Sequence, residues 1–130
     1  MKQFFYALFF VLSVLTNMAV AAEAVKEASV REVQQYVTAK APNVVILDAN
    51  NDEARKDAGV VPGAILLTSY NQYAVSELPQ DKATTLVFYC YNSYCQASHA
   101  AAMRAIGAGY KDARVMKAGI VGWNAANKKS

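Results

Sequence analysis

Both cysteines of the chain, Cys90 and Cys95, and its one histidine, His99, fall within a single segment, LVFYCYNSYCQASH, at residues 86–99. Three chemistries are open to such a set: a disulfide staple, a soft-metal site, or a nucleophilic thiol with supporting groups. The Cys-x4-Cys spacing lets Cys95 act as a resolving thiol, attacking a persulfide or sulfenic acid at Cys90 to close a disulfide. A permanent bridge is the alternative, and by loop entropy so small a ring contributes only about 2 kcal/mol. His99 stands at i+4 from Cys95, so on a helix the two share a face. With Cys90 they offer three soft ligands and no fourth, so neither a metal nor another cofactor is expected.

What a thiol means depends on its compartment. Lys2 precedes an apolar run, FFYALFFVLSVL at residues 4–15, and then Ala19-Val20-Ala21 in the A-x-A arrangement of a cleavage site. This is the pattern of a secretory signal peptide, and the run is too short for a spanning helix. The expectation is a signal peptide over residues 1–21 and one exported domain over residues 22–130, in the periplasm and off the membrane once cleaved. An oxidising compartment favours a disulfide whatever the function. The net charge of the full chain is +3 with its basic residues scattered, which gives no nucleic-acid footprint. A domain of this size buries a core without staples, and a monomer is expected.

The elements that must position the cysteines can be read in order. SVREVQQYV opens with Ser29 and Glu32 as a capping box, followed by apolar residues at helical spacing. NVVILD, residues 43–48, is a continuous apolar run suited to a strand covered on both faces. NNDEARKDAG reads as a polar, turn-rich stretch, and Pro62-Gly63 punctuates the chain before a second strand at 64–67. A long polar connection carries Tyr70 and Tyr73 and leads to TLVFYC, residues 85–90, the most strand-like segment of all. QASHAAAMRAI, residues 96–106, is helical by propensity and closed by glycines. A short strand, ARVM, and a last helix around Trp123, read as a core residue, follow. Strands alternating with helices define an α/β domain: a central, mostly parallel β-sheet flanked by helices on both faces.

Cys90 then ends a strand and precedes a helix. Loop amides and a helix N-terminus converge at such a place, and both favour a thiolate. A cysteine so placed is a candidate nucleophile.

The ordered set of segments resembles the rhodanese-like domain family. VVILDANNDEARKDAGVVPGAILL is similar to the family's first half, in which an apolar strand ending in Asp is followed by a polar stretch and a Pro-Gly-Ala turn. GYKDARVM and AGIVGW are similar to its second half, and the resemblance spans roughly residues 29–127. It implies a rhodanese fold and a sulfurtransferase activity, in which Cys90 takes a sulfane sulfur from a small donor as a persulfide. The acceptor would be a thiol, either a small molecule or one on a partner protein. The active loop departs from the family pattern: YNSYCQA carries no charge, where the family has arginines. Such a loop is expected to bind a small dianion such as thiosulfate poorly. A related phosphatase chemistry needs an arginine six positions after the cysteine, and Gln96 stands there.

The candidate catalytic residues are Cys90 and, as resolving thiol, Cys95. The candidate substrate-binding residues are Tyr91, Asn92, Ser93, Tyr94 and Gln96 of the loop, with Asp48, Asn50 and Arg55 near the same strand-end face. Asp48 has a second reading, in which it ties down its own turn. The tyrosines also have two readings, as packing for the sheet or as an amphipathic mouth for a bulkier donor. The rival to an enzyme is a non-catalytic binding or redox module of the same fold, with a Cys90–Cys95 disulfide.

Overall fold

The computed structural model describes residues 25–128. The signal peptide expected at residues 1–21 lies outside the described residues. The chain runs β1 (Lys26–Glu27), α1 (Val30–Ala39), β2 (Val44–Asp48), α2 (Asp52–Ala58), β3 (Ile65–Leu66), a single-turn helix Val75–Glu77, β4 (Thr85–Tyr89), α3 (Ala97–Gly107), β5 (Ala113–Val115) and α4 (Gly119–Asn127). The five strands form one sheet in the order β1-β5-β4-β2-β3, and every pairing is parallel. This is the expected α/β architecture, with β4 at the centre.

Alternation along β4 builds two cores. Leu86, Phe88 and Cys90 face one side, where they pack with Leu47, Tyr73 and the alanine face of α3, Ala101, Ala102 and Ala105. Val87 and Tyr89 face the other, with Ile46, Val33 of α1 and Ile120 and Trp123 of α4. Trp123 is core, as expected. The alanines let α3 lie close over the sheet. The capping box that starts α1 is formed: the Glu32 amide donates to Ser29 Oγ at 3.1 Å, and the Ser29 amide donates to Glu32 Oε2 at 2.6 Å.

Three local expectations change. The stretch read as turn-rich is helix α2, started by Asn51, whose Oδ1 accepts from the Ala54 amide at 2.9 Å, and stopped at Gly59. None of its residues is fully buried, so it has no apolar stripe to reveal it. The polar lead before α1 holds a two-residue edge strand, β1, paired to β5. Helix α3 begins at Ala97, so Cys95 precedes it, and the shared helical face expected for Cys95 and His99 does not exist.

Candidate active site

Cys90 is the residue immediately after the central strand, and three elements fix it there. Its carbonyl accepts from the Ile120 amide at 2.9 Å, and the Tyr91 carbonyl accepts from the Val121 amide at 3.0 Å. The first turn of α4 therefore anchors the start of the loop. Gly119 makes that approach possible: its φ is +65°, and a Cβ on it would stand 2.4 Å from the Tyr91 carbonyl oxygen. At the loop's other end the Ser98 amide donates to Cys90 Sγ at 3.4 Å, and the Ser98 hydroxyl lies 3.3 Å from the same sulfur. Ser98 is buried in the first turn of α3, so the helix directs a backbone donor and a hydroxyl at this one sulfur.

Cys90 and Cys95 are joined in a disulfide, with their Cα atoms 6.3 Å apart. The turn between them is held by Asn92, whose carbonyl accepts from the Cys95 amide and whose Oδ1 accepts from the Tyr94 amide, both at 3.1 Å. The two cysteines differ in exposure. Cys90 is 2% exposed, whereas Cys95 is half-buried and reaches the surface in two clefts. One cleft, about 210 Å³, is lined by Lys26, Glu27, Ser93, Cys95, Gln96, Ser98, His99 and Lys117 among others. The other, about 310 Å³, is lined by Ala49, Asn50, Tyr70, Tyr91, Cys95 and Ala97 among others. Charges absent from the loop thus stand outside it, with Lys26 of β1 and Lys117 of the turn after β5 offset in part by Glu27 on the same cleft and by Asp112, 3.9 Å from Lys26. Sequence spacing gave no sign of these lysines, because they come from the far edge of the sheet.

The residues expected to bind substrate separate into two groups. Asn50, Tyr91, Ser93 and Gln96 border the clefts that contain Cys95. Tyr94 is 88% exposed at the loop tip, and Asn92 serves the turn. Asp48 and Arg55 line neither of these clefts. Asp48 is fully buried: its Oδ1 accepts from the Asn50 amide at 2.7 Å and its Oδ2 accepts from the Tyr89 hydroxyl at 2.6 Å. Arg55 stands in ion-pair contact with Asp48 at 3.4 Å and donates to the carbonyls of Asp48 and Leu67. Of the two readings of Asp48, the turn-binding one is what the geometry supports. The ion pair is buried because both partners are also hydrogen-bonded to backbone, which offsets their desolvation.

The tyrosines divide similarly. Tyr89 and Tyr73 are buried, Tyr89 accepting from the Val61 amide and Tyr73 donating to the Ala101 carbonyl at 2.7 Å. Burial, and then its bond to Asp48, push the Tyr89 hydroxyl well above the usual phenol range. Tyr70 and Tyr91 form cleft wall, and the Tyr91 hydroxyl donates to Asp57 at 2.9 Å, which raises its pKa. Ser98 and Gly119, like Lys26 and Lys117, are site residues that sequence reasoning did not assign. The glycine lies in AGIVGW, a segment already singled out by resemblance. Among the described residues no group of three or more potential metal-ligating side chains comes together.

The Rhodanese-like domain model matches residues 29–126, and the chain belongs to that family. Its structure is similar to a Bacillus halodurans protein at 19% identity and a TM-score of 0.69, over 80% of this chain and 74% of that one. It is similar to the human single-domain sulfurtransferase TSTD1 at 20% identity and a TM-score of 0.61, over 82% of this chain and all of that one. It also matches a thiosulfate sulfurtransferase from Pseudomonas aeruginosa at 24% identity and a TM-score of 0.64, over 81% of this chain but only 20% of that one. Comparison with curated proteins gave no match. The fold is therefore the rhodanese fold, a parallel five-stranded sheet with four flanking helices.

Proposed function

We propose that this chain is an exported sulfurtransferase that carries a sulfane sulfur as a persulfide on Cys90 and passes it to a thiol acceptor. The observation that supports this most is the setting of Cys90 Sγ, beside the amide and hydroxyl of Ser98 at the head of α3. Donors so placed favour a thiolate over a thiol, and the thiolate is the nucleophile. Export rests on the N-terminal pattern of Lys2, the apolar run and Ala19-Val20-Ala21.

In the reduced protein the Cys90 thiolate attacks the outer sulfur of a donor persulfide, R–S–S⁻, and RS⁻ leaves. An acceptor thiolate then attacks the outer sulfur of the Cys90 persulfide, takes it, and returns the Cys90 thiolate. Without an acceptor, the Cys95 thiolate attacks Cys90 Sγ, hydrosulfide leaves, and the Cys90–Cys95 bridge closes. The bridged form is the resting product of that last step. A redox module of the same fold is the second reading, favoured by the closed bridge itself.

The test is transfer of isotopically labelled sulfur from an organic persulfide to a small thiol by the pre-reduced protein. Transfer is expected with the wild type and lost in Cys90→Ser. A wild type that cycles between dithiol and disulfide but moves no labelled sulfur favours the redox module.

A further inference from the structure

Before Cys90 can take up sulfur, the bridge must be opened, and its two ends are not equally open to attack. Cys90 lies behind the loop and lines neither cleft, so a thiol entering either one meets Cys95. The larger cleft also holds a group with nothing to do in the fold. Asn50 is only 9% exposed, and its side-chain Nδ2 is buried without a hydrogen-bond partner. Leaving such a donor unpaired costs about 1–3 kcal/mol, so Asn50, which lines this cleft, gains by turning Nδ2 toward an acceptor atom bound there. The rest of that wall, besides Cys95, is Ala49, Ala54, Ala97, Tyr70, Tyr91 and Asn51, whose Oδ1 is taken by the Ala54 amide. The Tyr91 hydroxyl is already engaged with Asp57.

We infer that this cleft binds a small thiol with an apolar body and one acceptor oxygen held by Asn50 Nδ2, and that this thiol opens the bridge by attacking Cys95. The attacking thiolate forms a bond to Cys95 Sγ, the S–S bond breaks, and its electron pair leaves on Cys90 Sγ. The departing thiolate is received by the amide and hydroxyl of Ser98. That arrangement makes Cys90 the better leaving group of the two. A second thiol molecule then attacks the mixed disulfide at the first thiol's sulfur. This frees Cys95 as a thiolate, and the two thiols depart oxidised as their own disulfide. The inference rests on reading Cys90 as the sulfur carrier, which must be delivered as a free thiolate.

The probe is N-acetylcysteamine, a neutral thiol with a carbonyl acceptor, compared with ethanethiol, which has none. Oxidised full-length protein is treated briefly with each thiol, quenched in acid, alkylated with N-ethylmaleimide and mapped by tandem mass spectrometry. The expected products carry the probe on Cys95 and maleimide on Cys90. The reverse pattern overturns the inference, and this mapping needs no variant. Asn50→Leu, which keeps the size and removes the donor, is expected to lower the ratio of the two opening rates, N-acetylcysteamine over ethanethiol, by about fivefold, the worth of one ordinary hydrogen bond. An unchanged ratio in Asn50→Leu also overturns it. No sulfur donor is present in this assay, so its failure is distinct from a failure of Cys90 to form a persulfide.

Discussion

The Ile120 amide donates to the Cys90 carbonyl at 2.9 Å, so the last helix of the chain holds the first residue of the active loop. The preceding residue, Gly119, has a backbone conformation that L side chains rarely adopt and sits against the Tyr91 carbonyl. Gly119→Ala is therefore expected to lose roughly 2–3 kcal/mol of stability and to loosen the loop. Urea unfolding measures the first effect. Faster alkylation of reduced Cys90 measures the second.

The Tyr89 hydroxyl satisfies two buried groups, the Asp48 carboxylate and the Val61 amide. Tyr89→Phe leaves the Val61 amide and Asp48 Oδ2 without this partner, while Asp48 Oδ1 keeps the Asn50 amide and Arg55, and is expected to cost about 2–3 kcal/mol in the same unfolding experiment. A loss within a few tenths of a kcal/mol would mean that Arg55 and the Asn50 amide suffice to hold Asp48.

Reduction of the bridge should be tolerated. The ring between Cys90 and Cys95 is small, so opening it is expected to lower stability by only about 2 kcal/mol and leave the far-ultraviolet circular dichroism unchanged. Two hydrophobic cores built on β4 maintain the fold without it. Global unfolding on reduction would make the bridge a staple and not a working pair.

Alkaline pH should act in part through Tyr73. Burial pushes its hydroxyl up to about 12 from an ordinary value of 10.0, so the fold keeps a proton that the unfolded chain loses. The stability this contributes is complete below pH 10.0 and is lost as pH rises from there to about 12. Tyr73→Phe removes the donor to the Ala101 carbonyl and is less stable at neutral pH. Its stability should fall less steeply than the wild type's over that alkaline window, as followed by urea unfolding at a series of pH values.

How far the sequence could be read depended on whether a signal was local. The capping box of Ser29 and Glu32 is spelled by two residues three apart, and β4 by one uninterrupted apolar run, so α1 and the strand leading to Cys90 were legible. Helix α2 had its signals too: Asn51 as cap, Asp52 and Glu53 in the first turn, Gly59 at the end. They went unread because an exposed helix shows no apolar period. The site divided along the same line. Cys90, Cys95 and the loop were visible as a motif, while Lys26, Lys117 and the Gly119 contact depend on distant segments meeting across the sheet. Asp48 and Arg55 look available because one ends a strand and the other follows it closely, and only tertiary packing turns them inward.

In the proposed function the two cysteines have different roles, Cys90 as carrier and Cys95 as resolving thiol. Cys95→Ser cannot close the bridge, so a sulfur taken up by Cys90 should stay there. The direct measurement is to expose the reduced Cys95→Ser protein to an organic persulfide, trap it with an alkylating agent and map the peptide spanning residues 83–104 by mass spectrometry. The account predicts one added sulfur on Cys90, longer lived than in the wild type. A Cys95→Ser protein that carries no added sulfur, or a Cys90→Ser protein that carries it on Cys95, would contradict the account.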